Sequence, residues 1–297
     1  MNTINYSIII PHKNTPDLLQ RCLNSIPYRD DIQVIVVDDN SDSSIVDFSH
    51  FPGLSGSNVE ILFTKEGKGA GYARNIGLQH AKGKWLLFAD SDDYYAGGFI
   101  ENLDIYIQSN YDIIYFNVYG NSKGEHDRAR YINSLYSKYF SGEIGIEEVK
   151  YLIWVPWNKM FSLQFILKNK ILFDEIPVGN DAFFSLKSGE KASDVLVIND
   201  KLYCITWNSY SISSQKRSYE REFDYLIINQ RINIFLRKHG LDDKQMILIS
   251  WRTIFLFKYG LQKLLLYLKY IHQKDSIRRY LHLYLRYLLA KRRKNCI

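Results

Sequence analysis

Cysteine is scarce in this chain of 297 residues, and its few copies are poorly placed for bonding. Cys22, Cys204 and Cys296 are far apart, odd in number, and form no C-x-x-C pair. Such a set argues against a disulfide framework and against a cysteine zinc site. A reducing compartment, the cytoplasm, is therefore the expected location.

Long apolar runs are missing as well. Pro11, His12 and Lys13 interrupt the first apolar stretch after five residues, so no signal segment is expected. No uncharged run reaches the roughly 18 residues that a membrane-spanning helix requires. We therefore expect no transmembrane helix.

Glycine is absent from the turn after the first predicted strand, which ends Ile10-Pro11-His12-Lys13-Asn14. A dinucleotide-binding fold needs G-x-G-x-x-G at that turn, so that the backbone can approach a pyrophosphate. The Gly-rich loop at 67–71 has neither this spacing nor the Gly-Lys-Ser/Thr of a P-loop. Neither of these nucleotide-binding motifs is therefore expected to operate here.

What the sequence does have is an uneven distribution of charge. The net charge of the whole chain is +6, but twelve Lys or Arg residues and one acidic residue lie between Gln245 and Ile297. The remainder of the chain is therefore net acidic. A basic tail on an acidic body suggests an anionic surface as the partner of the tail. Nucleic acid is not expected as that partner, because the acidic body offers no extended positive face.

Strand and helix patterns alternate over the first 120 residues. Apolar runs predict strands, and helical spacing predicts helices between them, at 6–10, 15–25, 32–37, 59–63, 70–80, 85–88 and 98–108. This alternation predicts an α/β fold in which helices flank a mostly parallel sheet. Ligands of such sheets bind beyond the carboxyl ends of the strands, so the polar residues after each strand are the candidates for chemistry.

The later residues are patterned less regularly. Residues 121–130 are polar and predict a surface loop, whereas 163–168 and 195–198 predict a helix and a strand. Beyond Ser218 the pattern is helical.

Acidic residues follow two of the predicted strands. Val37 is followed by Asp38-Asp39-Asn40-Ser41, where a carboxylate could accept the N–H of a uracil, thymine or guanine base, or could form an Asx-turn or helix cap. Phe88-Ala89 is followed by Asp90-Ser91-Asp92-Asp93, whose carboxylates repel one another unless a cation lies among them. Hard oxygen ligands suit Mg²⁺ or Mn²⁺. The alternative is a solvated acidic turn before the helix at 98–108.

Four motifs in this order resemble one known family. They are Ser7-Ile8-Ile9-Ile10-Pro11, Val36 to Ser41, Ala73-Arg74-Asn75-Ile76-Gly77, and Lys82-Gly83-Lys84-Trp85 leading into Phe88 to Asp93. Together they resemble the family 2 glycosyltransferases of the GT-A fold, in particular those of bacterial surface polysaccharides. The resemblance implies a GT-A domain over residues 1–215, with a nucleotide-sugar half at 1–120 and an acceptor half at 121–215. A helical, basic, amphipathic region would follow at 216–297.

The activity that the resemblance implies is metal-dependent, inverting transfer of a sugar from a nucleotide diphosphate donor, expected to be a UDP-sugar. The acceptor would be a hydroxyl of a glycan or of a lipid-linked molecule in surface polysaccharide synthesis, as in a capsule or lipopolysaccharide. By the same resemblance Pro11 and His12 would line the base pocket and Asp39 would hold the base. His12-Lys13-Asn14 departs from the family's usual Thr-Tyr-Asn, so the side-chain contacts at these positions are not carried over.

The resemblance also assigns the diphosphate and metal residues. Arg74 would lie near the nucleotide, Asp90 and Ser91 would bind the donor, and Asp90 with Asp92 would hold Mn²⁺ or Mg²⁺.

A general base is expected in the second half, since inversion requires a group that takes the proton of the acceptor hydroxyl. Gly179-Asn180-Asp181 resembles the family's Glu-Asp pair with Asn in place of Glu, which makes Asp181 the candidate base. The alternative is that Asp181 only caps the following helix. Trp154, Trp157 and Lys159 resemble a tryptophan-rich acceptor segment; their rings could stack on sugars or belong to the core.

Other classes fit less well. A sugar-1-phosphate nucleotidyltransferase would need a Gly-rich loop with a basic residue after the first strand. A processive polysaccharide synthase would carry Gln-x-x-Arg-Trp and membrane spans. The sequence has neither set. A catalytically inactive nucleotide-sugar-binding protein on a membrane stays open, although the presence of Asp90, Asp92 and Asp181 together weighs against it.

The C-terminal region has an apolar stripe at helical spacing. Its members are Ile254, Phe257, Leu261, Leu264, Leu268 and Ile271, continued by Ile277, Leu281, Tyr284 and Leu288. Cations occupy the other side of the same helical wheel, at Arg252, Lys258, Lys263, Lys269 and Lys274. This pattern predicts that residues 245–297 rest on the anionic inner face of the cell membrane. Alternatively, the stripe packs on the catalytic domain or on a second copy of the chain, as in a homodimer.

Overall fold

The structure is a computed structural model in which the chain forms two compact units, Met1–Gln215 and Lys216–Ile297. The residues that it describes are 3–121, 127, 129–207, 218–246, 258–274 and 285.

The first unit is built on one eight-stranded sheet. Its strands are β1 (Tyr6–His12), β2 (Ile32–Asp39), β3 (Val59–Thr64), β4 (Trp85–Phe88), β5 (Tyr94–Tyr95), β6 (Ile113–Gly120), β7 (Lys159–Ser162) and β8 (Val195–Ile205). They lie in the order β3-β2-β1-β4-β7-β6-β8-β5. The pairs among β1 to β4 are parallel, as is β6 with β8, whereas β7 and β5 run antiparallel to their neighbours. The expected parallel sheet is thus present around β1, and the whole sheet is mixed.

Helices flank this sheet and fill the connections between strands. Those of the first unit are α1 (Pro16–Asn24), α2 (Ala70–His80), α3 (Phe99–Asp104), α4 (Ala129–Phe140), α5 (Ile146–Leu152), α6 (Leu163–Lys168) and α7 (Ala182–Lys191). Pro16 opens α1, where its missing N–H has no partner to lose and its fixed φ suits the first turn.

Most of these elements have the bounds that their patterns predict. β4, α2 and α6 agree with the prediction at both ends, while the predicted helix at 98–108 ends early, at Asp104. β1 and β2 each continue two residues further, to His12 and Asp39, because their polar ends are buried through hydrogen bonds. The predicted loop at 121–130 gives way to α4 from Ala129 onward; residues 122–126 and 128 lie outside the described part.

The carboxyl ends of β1, β2 and β4 meet at one edge of the sheet, because these strands are parallel and adjacent. Beneath that edge lies a cluster of buried rings, Phe88, Phe161, Phe173 and Phe184. Phe173 stacks on Phe184 with 3.9 Å between ring centroids, and Phe88 meets both edge-on. The cluster therefore packs β4, the chain before α7 and α7 itself against one another in the hydrophobic core.

The second unit is helical where it is described. It contains α8 (Tyr219–Lys238) and α9 (Leu261–Lys274), whose aromatic side chains meet, as when Phe223 lies 5.3 Å from Tyr270 between ring centroids. None of the described helices combines the length and the apolar character that crossing a bilayer requires.

The predicted apolar stripe is only partly within the described residues. Leu261 is 62% exposed, whereas Leu264 and Leu268 are half-buried. The rest of the stripe has no described side chains, namely Ile254, Phe257, Ile271, Ile277, Leu281, Tyr284 and Leu288. The same holds for Arg252 and Lys274 among its cations.

Candidate active site

Asp39 stands at the carboxyl end of β2 with only 3% of its surface exposed. Its Oδ2 accepts the backbone N–H of Gly69 at 2.8 Å and lies 3.5 Å from Lys13 Nζ. Its Oδ1 is buried and has no hydrogen-bond partner among the residues that the structure describes. A buried acceptor is costly to leave unpaired, so this oxygen is suited to receive an N–H from a ligand.

The side chain of His12 is buried. Thr15 N–H donates to Nε2 at 3.1 Å, so Nδ1 carries the proton and donates to Asp38 Oδ2 at 2.8 Å. Burial raises the pKa of Asp38, but the hydrogen bonds from His12 and Ser41 outweigh it and leave that pKa below its usual value. Both ring nitrogens of His12 are therefore used in fixing the turn after β1, and the lining of a base pocket by Pro11 and His12 stays a prediction. Pro11, its neighbour, is buried too.

Three carboxylates cluster after β4. One oxygen from each of Asp90, Asp92 and Asp93 lies within 4.8 Å of the others. Asp93 is buried and accepts the Thr206 N–H at 2.7 Å, whereas Asp90 and Asp92 are half-buried. Ser91 Oγ lies 3.4 Å from Thr15 Oγ1. The predicted acidic cluster is thus spatially compact, with one carboxylate buried and two half-buried.

Arg74, on α2, connects this cluster to the chain before α7. One terminal nitrogen lies 2.5 Å from Asp90 Oδ1, and the other donates to Asn180 Oδ1 at 2.9 Å. The guanidinium is only 4% exposed and lies over the ring of Phe173, 5.3 Å from its centroid. The arginine that was expected near the nucleotide therefore brings the acidic loop and the candidate base segment to one place.

Asn75 holds the same segment, which sequence reasoning did not foresee. Its amide nitrogen donates to Phe173 O at 3.1 Å and to Glu175 Oε1 at 3.1 Å, and its oxygen accepts the Phe173 N–H at 2.9 Å. Gly71, one turn earlier on α2, lies so close to Asp174 O that a side chain there would collide with it. The segment 173–181 is thus attached to α2 by side chains and by close backbone contact.

Asp181 precedes the first turn of α7 but makes no side-chain capping hydrogen bond. Burial raises the pKa of its carboxyl group; Arg74 opposes this shift and Asp90 adds to it. The capping role considered for Asp181 therefore has no hydrogen bond to support it, while its carboxylate lies within electrostatic reach of both Arg74 and Asp90.

The predicted acceptor residues differ in exposure. Trp154 is half-buried, and its Nε1–H donates to Tyr151 O at 2.7 Å. Trp157 is 3% exposed and stacks on Tyr203 with 5.1 Å between ring centroids. A ring buried in this way has no free face for a sugar. Trp157 therefore belongs to the core, which was the alternative to a role in stacking on the acceptor.

Lys159 is fully buried and belongs to the scaffold of the same segment. Its Nζ donates to the carbonyl oxygens of Ile153, at 3.1 Å, and Val155, and to Asn158 Oδ1 at 3.1 Å. Burial holds the pKa of Lys159 well below its usual range, opposed by the charge of Asp181. These bonds hold the carbonyl groups on both sides of Trp154, so the lysine fixes the shape of the loop that carries this ring.

A model of glycosyl transferase family 2 matches residues 7–175 of the chain, more than half of its length. The chain belongs to this family. The resemblance found in the four motifs is thereby confirmed, and with it the presence of a glycosyltransferase domain. Family 2 relatives include the poly(ribitol-phosphate) beta-glucosyltransferase of Bacillus spizizenii, which is 28% identical over 203 residues. Glycosyltransferase GlyG of Streptococcus pneumoniae is 26% identical over 245 residues.

These relatives differ in how much of them the chain represents. The match covers 66% of this chain but 31% of the Bacillus enzyme, whereas it covers 78% of both this chain and GlyG. The chain thus spans about a third of the first relative and about four fifths of the second.

Solved structures support the fold. TarS 1–349 from S. aureus, in complex with UDP-GlcNAc, superposes with a TM-score of 0.62 at 19% identity and covers 94% of this chain and 79% of its own. The Pyrobaculum calidifontis mannosyltransferase PcManGT, in complex with GDP-Man and Mn²⁺, has a TM-score of 0.53 at 16% identity and covers 96% and 80%. The predicted GT-A type of α/β fold is confirmed.

Proposed function

We propose that this chain transfers a sugar from a nucleotide diphosphate donor to an acceptor hydroxyl, with inversion at the anomeric carbon. The observation that carries the proposal is the position of Arg74, whose two terminal nitrogens contact Asp90 and Asn180. Arg74 thereby joins the acidic loop at Asp90, which we assign to the donor, to the segment before Asp181, whose carboxylate we assign as the base.

Asp39 gives the donor site its selectivity for the base. Its Oδ1, which has no partner within the described part of the chain, is an acceptor that a ring N–H of uracil or guanine would satisfy. TarS has been solved with UDP-GlcNAc and PcManGT with GDP-Man, so two proteins of similar fold bind nucleotides whose bases carry such an N–H. We take a UDP-sugar as the donor, because the relatives include enzymes named as a glucosyltransferase and an N-acetylglucosaminyltransferase, and TarS has been solved with UDP-GlcNAc.

The acidic loop fits a divalent cation. Asp93 is buried and accepts the Thr206 N–H, whereas Asp90 and Asp92 are half-buried, and we assign these two carboxylates to the metal. Mg²⁺ and Mn²⁺ are bound by such sets of one or two carboxylates together with substrate phosphates. When bound, the cation would neutralise the charge that develops on the departing diphosphate. Arg74 supplies a second, fixed positive charge beside Asp90.

Asp181 acts as the general base. Its carboxylate takes the proton of the acceptor hydroxyl while the hydroxyl oxygen forms a bond to C1, and the bond from C1 to the diphosphate oxygen breaks with its electron pair going to the phosphate. Burial favours this role, because it raises the pKa of Asp181 toward that of a proton acceptor at working pH.

The acceptor approaches from the side of the loop that carries Trp154, the half-buried ring of this segment. Lys159 and Trp157 support that loop from within. We propose a hydroxyl of a glycan or of a lipid-linked molecule in surface polysaccharide synthesis as the acceptor, since the relatives include enzymes named for poly(ribitol phosphate).

Nucleotide release from a panel of UDP- and GDP-sugars, measured with and without acceptor, tests the function. Asp181→Asn should lower kcat by about 10²–10⁴-fold while donor binding stays intact, because a general base contributes that much. Asp200→Asn, which removes an exposed carboxylate on β8, is the matched control and should behave as the wild type.

Two results would contradict the proposal. Absence of nucleotide release from every donor, with donor binding retained, would favour an inactive nucleotide-sugar-binding protein. Loss of folded Asp181→Asn protein, with full specific activity in the folded fraction, would make Asp181 a structural cap.

We also propose that residues 245–297 bind an anionic lipid surface. α9 exposes Leu265 and Leu266 by 56% and 51%, in addition to Leu261, and carries Lys263 and Lys269. Apolar side chains with cations on one helix suit an interface rich in anionic lipid, where each cation adds about 1 kcal/mol.

A further inference from the structure

Two residues that are far from the acidic loop Asp90–Asp93 in sequence form hydrogen bonds with it. Arg21, near the end of α1, donates to Asp92 O at 2.5 Å. Thr206, just after β8, donates its hydroxyl to the same carbonyl oxygen and accepts a hydrogen bond from Arg21 at 3.2 Å. The Thr206 backbone N–H in turn donates to Asp93 Oδ1 at 2.7 Å. These contacts, the Arg21–Thr206 clamp, hold one backbone carbonyl and one carboxylate of the loop.

The clamp is sheltered from water where it meets the loop. Thr206 is 2% exposed and Asp93 is 1% exposed. The Arg21 guanidinium lies over the ring of Tyr94, 5.2 Å from its centroid. Hydrogen bonds in such surroundings are stronger than those made in water, and they confine the groups that they join.

The loop needs such a restraint. Three carboxylates with oxygens within 4.8 Å of one another repel, and a free loop would relax by moving them apart. The clamp holds Asp92 by its carbonyl and leaves its carboxylate half-exposed. The carboxylates are therefore kept together by contacts to the Asp92 carbonyl oxygen and to Asp93 Oδ1.

We propose that Arg21 and Thr206 are positioning residues that preorganise the Asp90–Asp93 loop for a divalent cation. The inference rests on the proposed function, in which Asp90 and Asp92 hold that cation. Neither clamp residue touches the cation; each acts through Asp92 or Asp93, as groups behind metal ligands commonly do.

Thr206→Val tests the clamp, because it removes the hydroxyl and keeps both the side-chain shape and the backbone N–H that Asp93 uses. The dissociation constant of Mn²⁺ should rise by about tenfold or more, measured by the electron paramagnetic resonance of free Mn²⁺ with saturating UDP present. Thr206→Ser keeps the hydroxyl and should keep wild-type affinity. Thr64→Val is the matched control: the Thr64 hydroxyl donates to a backbone carbonyl, Asp38 O at 3.0 Å, outside the acidic loop.

Activity distinguishes positioning from general damage. The kcat of Thr206→Val should return to that of the wild type at saturating Mn²⁺, whereas a merely structural defect would lower kcat at every Mn²⁺ concentration. Wild-type Mn²⁺ affinity in Thr206→Val would overturn this inference and leave the proposed function standing. No Mn²⁺ binding by the wild type, with nucleotide release intact in chelator, would overturn the metal site and the inference together.

Discussion

Replacing Gly71 by alanine should disable the enzyme while leaving it folded. A Cβ at this position would come about 1 Å closer to Asp174 O than the 3.4 Å at which ordinary van der Waals contact begins, and would lie 3.0 Å from Asn180 Cβ. Both contacts belong to the segment that leads into Asp181, and the nearer one is a backbone atom that cannot rotate away. The segment must therefore move by about 1 Å relative to α2.

The magnitude follows from that displacement. A shift of about 1 Å in a catalytic group can cost about 10²-fold in rate, so kcat of Gly71→Ala should fall by that order. Stability should change less, because alanine is favoured over glycine in a helix by about 1 kcal/mol, which offsets part of the strain. Nucleotide release in the presence of acceptor measures kcat, and thermal unfolding measures the second effect.

Two other glycines separate the causes. At Gly97 an added Cβ would have no atom of the described residues within 4 Å, so Gly97→Ala should behave as the wild type. At Gly77 it would lie 2.5 Å from Ile9 Cγ2 in the core, so Gly77→Ala should lower the unfolding temperature and spare kcat in the folded fraction. If Gly71→Ala keeps kcat within about threefold of the wild type, the close approach of α2 does not position Asp181 and the reasoning fails.

Three further expectations address the metal, the base and the basic region. Asp92→Ala should lower transfer by at least about a hundredfold, since a metal stabilises the transition state by several kcal/mol; EDTA should have the same effect, and Mn²⁺ or Mg²⁺ should restore only the wild type. Burial raises the pKa of Asp181, and a general base must be unprotonated to act. The kcat should therefore fall as the pH is lowered through that raised pKa, at a pH above the usual aspartate value. A kcat that does not change with pH on the acid side would argue against this base. Sedimentation with vesicles should show binding that requires anionic lipid, weakens at high salt and disappears on deletion of residues 245–297, and equal binding to neutral vesicles would contradict the electrostatic part.

The strand ends were the part of the site that the sequence made most predictable. Parallel strands place their carboxyl ends at one edge, so the alternation of strands and helices predicted that Asp39 and Asp90 lie at a common edge, and the resemblance supplied their expected roles. The directions of the side chains at that edge were harder to predict from the sequence. His12 was predicted to follow the first strand, but it is the last residue of β1, and its buried ring bonds to Asp38 and Thr15 through both nitrogens.

The contacts that complete the site could not be read from spacing, because they join distant positions. Asn75 and Phe173 are 98 residues apart, and Thr206 and Asp93 are 113 apart. Periodicity reports which face of an element is buried and gives no information on its partner. The same limit applies to Trp157: a tryptophan in an acceptor-like segment can stack on a sugar or on Tyr203, and only packing decides between them.

The attachment of segment 173–181 to α2 has a consequence for building chimaeras within the family. This segment carries the candidate base and belongs to the predicted acceptor half, but it is held by Arg74 and Asn75 of the predicted nucleotide-sugar half. A transplanted acceptor half would arrive without the side chains that anchor its own base. An exchange of acceptor specificity between relatives should therefore take α2 together with the second half, so that the seam of the chimaera falls before Ala70 and not at residue 120.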